Sequence, residues 1–178
     1  MENEMTENSG KIDLLILGIG NLIMSDDGIG VRVIRKLREN YIFPELVTLL
    51  DGGTLGLDLL PALEGRSHLV IVDAVETGGK PGEIVRLTGS DIPVAIEHKL
   101  SPHQMGVKDL LAVSALMGHE PAEIVMLGIQ PGSIEMGENL TEEIEKKLDE
   151  LCLMVLEELE RTGIRFSAKS TEQHVDFA

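Results

Sequence analysis

The sequence predicts an α/β protein with a largely parallel sheet covered on both faces. Three observations carry that prediction. Apolar runs of strand length recur at 12–18, 46–50, 67–75 and 123–129. They are nearly continuous rather than alternating, as in strands buried on both faces. Stretches with helical spacing fall between them, and strands that alternate with helices form parallel sheets through crossover connections.

Residues 1–10 are polar and acidic and are expected to be a mobile arm. A single domain is expected over 11–166. The first strand runs into Gly18-Ile19-Gly20-Asn21, and the chain then passes Asp26-Asp27-Gly28-Ile29-Gly30 into a helix. In that helix, to Asn40, Ile29, Val33, Ile34 and Leu37 share one face, with Arg32, Arg35, Lys36 and Arg38 away from it. The second strand ends at Asp51-Gly52-Gly53, and Leu55, Leu59, Leu60 and Leu63 mark a short helix. The third strand contains Leu69-Val70-Ile71-Val72-Asp73. A turn at 77–82 leads to Glu83–Leu87, whose partial alternation suits an antiparallel edge strand. After an irregular link, Ser101 and Pro102 are expected to cap and open a helix reaching about Met117. The last strand, 123–129, stops at Gln130-Pro131-Gly132. Thr141 is expected to cap the final helix, whose buried stripe is Ile144, Leu148, Leu151, Cys152, Val155 and Leu159, with Gly163 as its stop. Residues 167–178 are expected to be a mobile tail.

Composition narrows the function. The chain has 178 residues and 43% hydrophobic content, enough for one domain with a real core. Aromatics are only 2%, which argues against binding nucleic acid by base stacking. Fifteen basic against 31 acidic side chains give a net charge of −16, which repels phosphate backbones and anionic lipid. Such a surface suits a basic partner or simply keeps the protein soluble. One cysteine, Cys152, leaves no pair for an intramolecular disulfide, and its position on a helix stripe marks it as core. No signal-peptide pattern opens the chain and no apolar run approaches the ~20 residues of a membrane span, so a cytoplasmic location is expected.

In α/β folds, ligands bind at the carboxyl ends of the strands. Asp26 and Asp27 follow the first strand, Asp73 ends the third, and His103 opens the penultimate helix. Asp27, Asp73 and His103 would offer oxygen and imidazole donors to a divalent metal while leaving coordination positions open. Each also has a plainer reading: Asp27 as a helix cap, Asp73 as a strand-end turn residue, His103 as a solvated first-turn histidine. Asp51 either orients a ligand or starts a turn. Other chemistries fit less well. Ile23 stands where a dinucleotide loop needs its third glycine, no P-loop lysine is present, and there is no nucleophile-elbow motif.

Four blocks, Gly18-Ile19-Gly20-Asn21 with Asp26-Asp27-Gly28-Ile29-Gly30, Asp51-Gly52-Gly53-Thr54, Val72-Asp73-Ala74 and Ser101-Pro102-His103-Gln104, resemble in order the nickel–iron hydrogenase maturation endopeptidases. The resemblance spans 12–163. It implies a three-layer α/β/α sandwich around a five-stranded, mostly parallel twisted sheet, with Asp27, Asp73 and His103 contacting metal. Members carry Glu or Asp at the position of Asp27, so this chain has the shorter side chain. The implied activity is removal of the C-terminal extension from the nickel-loaded large-subunit precursor, by cleavage after a basic residue. The nickel would come with the substrate, leaving no permanent cofactor, and the precursor would be the partner, with no nucleic acid or membrane. The catalytic residues would be Asp27, Asp73 and His103, with Asp51 as a candidate general base or ligand-orienting carboxylate. The alternative is a nickel-sensing chaperone that binds the precursor without cutting it.

Overall fold

The computed structural model describes residues 12–89, 91–92 and 105–170. Its central sheet contains β1 (Leu14–Ile19), β3 (Val47–Gly53), β4 (His68–Ala74), β5 (Ile84–Thr88) and β6 (Glu123–Ile129), in the order β3-β1-β4-β6-β5. The pairs β1–β3, β1–β4 and β4–β6 are parallel, and β5 runs antiparallel to β6 at the edge. The expected α/β class, five-stranded sheet and antiparallel edge strand are all present.

Side chains alternate between the two sheet faces, which explains the continuous apolar runs. Leu14 and Ile16 of β1, Val70 and Val72 of β4, and Leu127 and Ile129 of β6 pack with α1 (Ile29–Asn40) and the C-terminal helix. Leu15, Leu17, Leu69, Ile71 and Met126 pack on the other face with Leu59, Leu63, Val107 and Leu110. That second layer comprises a 3-10 turn (Gly56–Leu59), α2 (Leu60–Leu63) and α3 (Met105–Leu116). Ile29, Val33, Ile34 and Leu37, the predicted apolar face of α1, are all fully buried. Burying side chains of this size contributes ~1.5–3 kcal/mol each before chain entropy is counted.

Four local expectations change. The second strand continues through Asp51-Gly52-Gly53 instead of ending before them, because its register with β1 runs to Gly53. The final helix is broken into α4 (Glu142–Glu145) and α5 (Leu148–Arg161). The predicted stripe from Ile144 to Leu159 is nevertheless buried throughout. Thr141 stands at the start of α4, but its side chain makes no cap hydrogen bond; its hydroxyl is donated elsewhere, to Asp26. Ser167–Ala168, within the segment read as tail, form β7 and pair antiparallel with β2 (Tyr41–Ile42). Tyr41, Phe43 and Phe166 stack there with ring centroids 5.7–6.2 Å apart. Three of the chain's four aromatic side chains therefore sit at this flank, and the sheet's core is aliphatic.

Candidate active site

The chain enters the sheet at β1, an interior strand next to the edge. It moves outward to β3 and then returns across β1 to β4 on the other side. The gap between the carboxyl ends of β1 and β4 is thus a topological switch point, where loops leave in opposite directions and open a crevice. Asp27 lies just beyond β1 and Asp73 is the penultimate residue of β4.

Close backbone packing delivers Asp27 to that edge. A 3-10 turn, Ser25–Gly28, joins the β1 loop to α1 and packs against β4. A Cβ on Gly30 would lie 2.1 Å from the Val72 carbonyl oxygen, and one on Gly18 would lie 2.3 Å from the Gly30 carbonyl oxygen. Hydrogen atoms at these positions let the first turn of α1 sit directly on β1 and β4. Gly20 has φ +130°, and a Cβ there would fall 1.7 Å from the Asp27 carbonyl oxygen. The glycines that resemble a nucleotide loop therefore provide close packing of backbone on backbone.

Asp27 is 2% exposed and Asp73 is fully buried. The Asp27 Oδ2 accepts a hydrogen bond from the Asn21 amide at 2.8 Å, closing the loop on itself. It does not cap α1, whose N-cap position, Gly28, has no side-chain cap bond. Asp73 alternates in phase with Leu69 and Ile71, so it lies on the sheet face covered by α3. The start of α3 packs beside the ends of β1 and β3, where Val107 and Leu110 meet Ile19, Gly53 and Gly56. His103 precedes that helix in sequence but lies, with Ser101 and Pro102, outside the described residues. Among the described residues no group of three His, Cys, Asp or Glu side chains forms a metal site.

Asp51 goes elsewhere. It alternates in phase with Val47 and Leu49, which pack on the α1 face, and its Oδ2 accepts from Arg35 at 3.4 Å. Asp73 lies on the opposite face. The structure thus brings Asp27 and Asp73 to one switch point and ties Asp51 to α1. Cys152 is 5% exposed, and burial pushes its thiol up to about 11, which suits a core residue and not a nucleophile.

Two residues at this edge escape sequence reasoning. Asp26 is fully buried, and its carboxylate accepts four hydrogen bonds. They come from the amides of Gly132 (2.9 Å), Ser133 (2.9 Å) and Thr141 (2.6 Å) and from the Thr141 hydroxyl (2.9 Å). Gln130 is 5% exposed, and its Oε1 accepts from the Thr77 amide at 2.7 Å and the Thr77 hydroxyl at 3.0 Å, holding the chain just after Asp73. Both donor sets come from far along the sequence. The only local signal was a second carboxylate beside Asp27.

A doubly wound α/β protein with two buried carboxylates at its switch point belongs to the class of α/β proteins whose ligand sites lie at the strand exits. The hydrogenase maturation protease family model matches residues 31–158. The hydrogenase 2 maturation protease of Escherichia coli strain K12 is 36% identical over 152 residues, covering 85% of this chain and 93% of that one. The hydrogenase expression/formation protein HupD of Rhodobacter capsulatus is 38% identical over 160 residues, covering 89% and 76%. Among solved structures, the hydrogenase maturating endopeptidase HybD of E. coli superposes with a TM-score of 0.86 at 34% identity, covering 90% of this chain and all of that one. The [NiFe] hydrogenase maturation protease HybD of Thermococcus kodakarensis gives 0.68 at 32% identity, covering 83% and 99%. The chain belongs to the hydrogenase maturation protease family and is, as such, an endopeptidase.

Proposed function

We propose that this endopeptidase removes the C-terminal extension of a nickel–iron hydrogenase large-subunit precursor, and that it recognises nickel already bound in that precursor. The observation that carries the reading is the pair of buried carboxylates, Asp27 beyond the end of β1 and Asp73 at the end of β4, on either side of the switch point. Carboxylates gathered at a strand exit supply the hard oxygen donors that a cation presented by a substrate would take. With His103 they offer two oxygen donors and one nitrogen donor, an incomplete set that ligands from the precursor would complete.

Nickel is then part of the substrate, and the protein needs no metal of its own. Asp27, Asp73 and His103 hold the loaded precursor so that the scissile bond lies in the crevice. Water attacks the peptide carbonyl, assisted by a carboxylate as general base or by the substrate's metal as Lewis acid. Asp51, committed to Arg35 on the other face, supports the fold of the edge in this scheme and leaves the base role to the crevice carboxylates.

The test is incubation with nickel-loaded and nickel-free precursor, following the C-terminal loss by mass spectrometry. Cleavage is expected only of the loaded form, and His103→Ala is expected to lose it by at least about a hundredfold while keeping its fold. Equal cleavage of both forms would refute nickel recognition, and a fully active His103→Ala would refute the assigned site.

A further inference from the structure

Nine large apolar side chains are exposed among the described residues. Five of them, Ile23, Leu55, Leu57, Ile134 and Met136, stand on the segments that follow the carboxyl ends of β1, β3 and β6. That concentration is unexpected on a chain with a net charge of −16. Clustered exposed apolar residues mark interaction surfaces.

Three of the five, Ile23, Ile134 and Met136, stand on two segments that backbone bonds join next to Asp26 and Asp27. Ile23 and Met136 lie on segments laced together by backbone bonds. The Gly137 amide donates to the Ile23 carbonyl at 3.0 Å, and the Ser25 amide donates to the Gly137 carbonyl at 2.7 Å. The Asp26 amide donates to the Ser133 carbonyl at 3.1 Å, next to Ile134, while the Asp26 carboxylate gathers Gly132, Ser133 and Thr141. Ile23 is 54% exposed and Met136 84% exposed, although their backbones are fixed. An apolar surface on a pre-ordered backbone binds with little ordering cost.

We propose that Ile23, Ile134 and Met136 form the docking ridge for an apolar surface on the folded body of the precursor. The inference rests on the functional reading above. Its basis is continuity with the site: Ile23 and Asp27 share one loop, so a substrate whose scissile segment reaches Asp27 also covers Ile23. A short peptide in the crevice would leave Met136, on a second loop, uncovered. A second copy of this chain on the ridge would close the edge against substrate, which an endopeptidase cannot tolerate.

The experiment measures binding and cleavage of nickel-loaded precursor separately. It compares the wild type, the double variant Ile23→Glu/Met136→Glu, the single variant Met136→Ser, and a control, Leu116→Glu. Leu116 is 87% exposed at the far end of α3, where the chain turns back toward the start of β6. The double variant is expected to bind at least about tenfold more weakly and to raise KM similarly at unchanged kcat; Met136→Ser is expected to fall between it and the wild type, with Leu116→Glu unaffected. Unchanged binding and KM in both ridge variants would overturn the ridge while leaving the protease reading intact. Ridge-dependent binding by a wild type that does not cut would refute the cleavage reading and support the ridge. Sedimentation showing a wild-type dimer that the double variant dissolves would assign the ridge to a second copy and overturn the proposal.

Discussion

Asp26 and Asp27 are adjacent aspartates and both are buried, yet they have different partners. Asp27 accepts one loop amide and stays at the crevice. Asp26 spends its carboxylate on four donors from 132–141. Beside Asp26, at the start of the 3-10 turn, Ser25 is held at φ +49°, a left-handed conformation that costs a non-glycine residue ~1 kcal/mol. The surrounding bonds offset that cost: the Ser25 amide meets Gly137 and its hydroxyl donates to the Asn139 carbonyl. Asp26→Asn would turn an amide NH2 toward donors and leave buried N–H groups unpaired. An unpaired buried group costs ~1–3 kcal/mol, and two of them in a domain of this size correspond to a loss of roughly 10 °C in Tm. Calorimetry checks the stability. Hydrogen exchange checks the mechanism, with faster exchange expected at Gly132, Ser133 and Thr141 and unchanged exchange in β1.

Among the elements, α5 shows how a helix beyond the site holds the sheet that carries it. Glu158 is buried on that helix and accepts a two-pronged bond from Arg86 of β5 at 2.7 and 2.9 Å, with Arg161 at 3.1 Å. The Arg86 bond is the main cause that keeps the Glu158 carboxyl below the usual carboxylate range. A carboxylate whose folded value is depressed adds stability above the ordinary value, ~4.3. That stability is lost as pH falls through the depressed folded value. Glu158→Gln is expected to cost about 2 kcal/mol at neutral pH, below the figure for a fully buried pair because the arginine is partly exposed. It is also expected to flatten the acid limb of stability against pH. Denaturant melts at pH 7 and at successively lower pH measure both. On the opposite side of α5, Lys36 is held above its usual range by Asp149, an exposed pair of small value.

At the scale of the molecule, the topology separates two tasks. The amino edge of the sheet carries structural pairs such as His68 with Glu123 at 3.5 Å. The carboxyl edge carries the buried carboxylates and the exposed apolar loops. No helix among the described residues is long and apolar enough to cross a membrane. If nickel travels with the precursor, the isolated protein needs none. Dialysis of the protein against a strong chelator, followed by removal of the chelator, is therefore expected to leave the rate of cleavage of loaded precursor unchanged. A time course of C-terminal mass loss checks it, and a rate restored only by adding nickel to the protein would overturn that expectation.

The sequence by itself determined the alternation of strands and helices, the apolar face of α1 and the antiparallel edge strand. Those follow from local periodicity and from the burial of both sheet faces. It also singled out Asp27, Asp73 and His103 as candidates, because ligand sites in such folds collect at strand exits. Only the tertiary structure decided what their neighbours do. Asp51 became an α1-facing partner of Arg35 because strand alternation sets its face, and the strand's length was not legible through Gly52-Gly53. Thr141 makes no helix cap; its hydroxyl instead donates to a fully buried Asp26 more than a hundred positions away. The glycine loop showed its purpose only when its missing side chains proved to be the space occupied by Gly30, Val72 and Asp27. Local pattern fixes which face of each element is apolar; bonds between distant segments fix which polar group remains for chemistry.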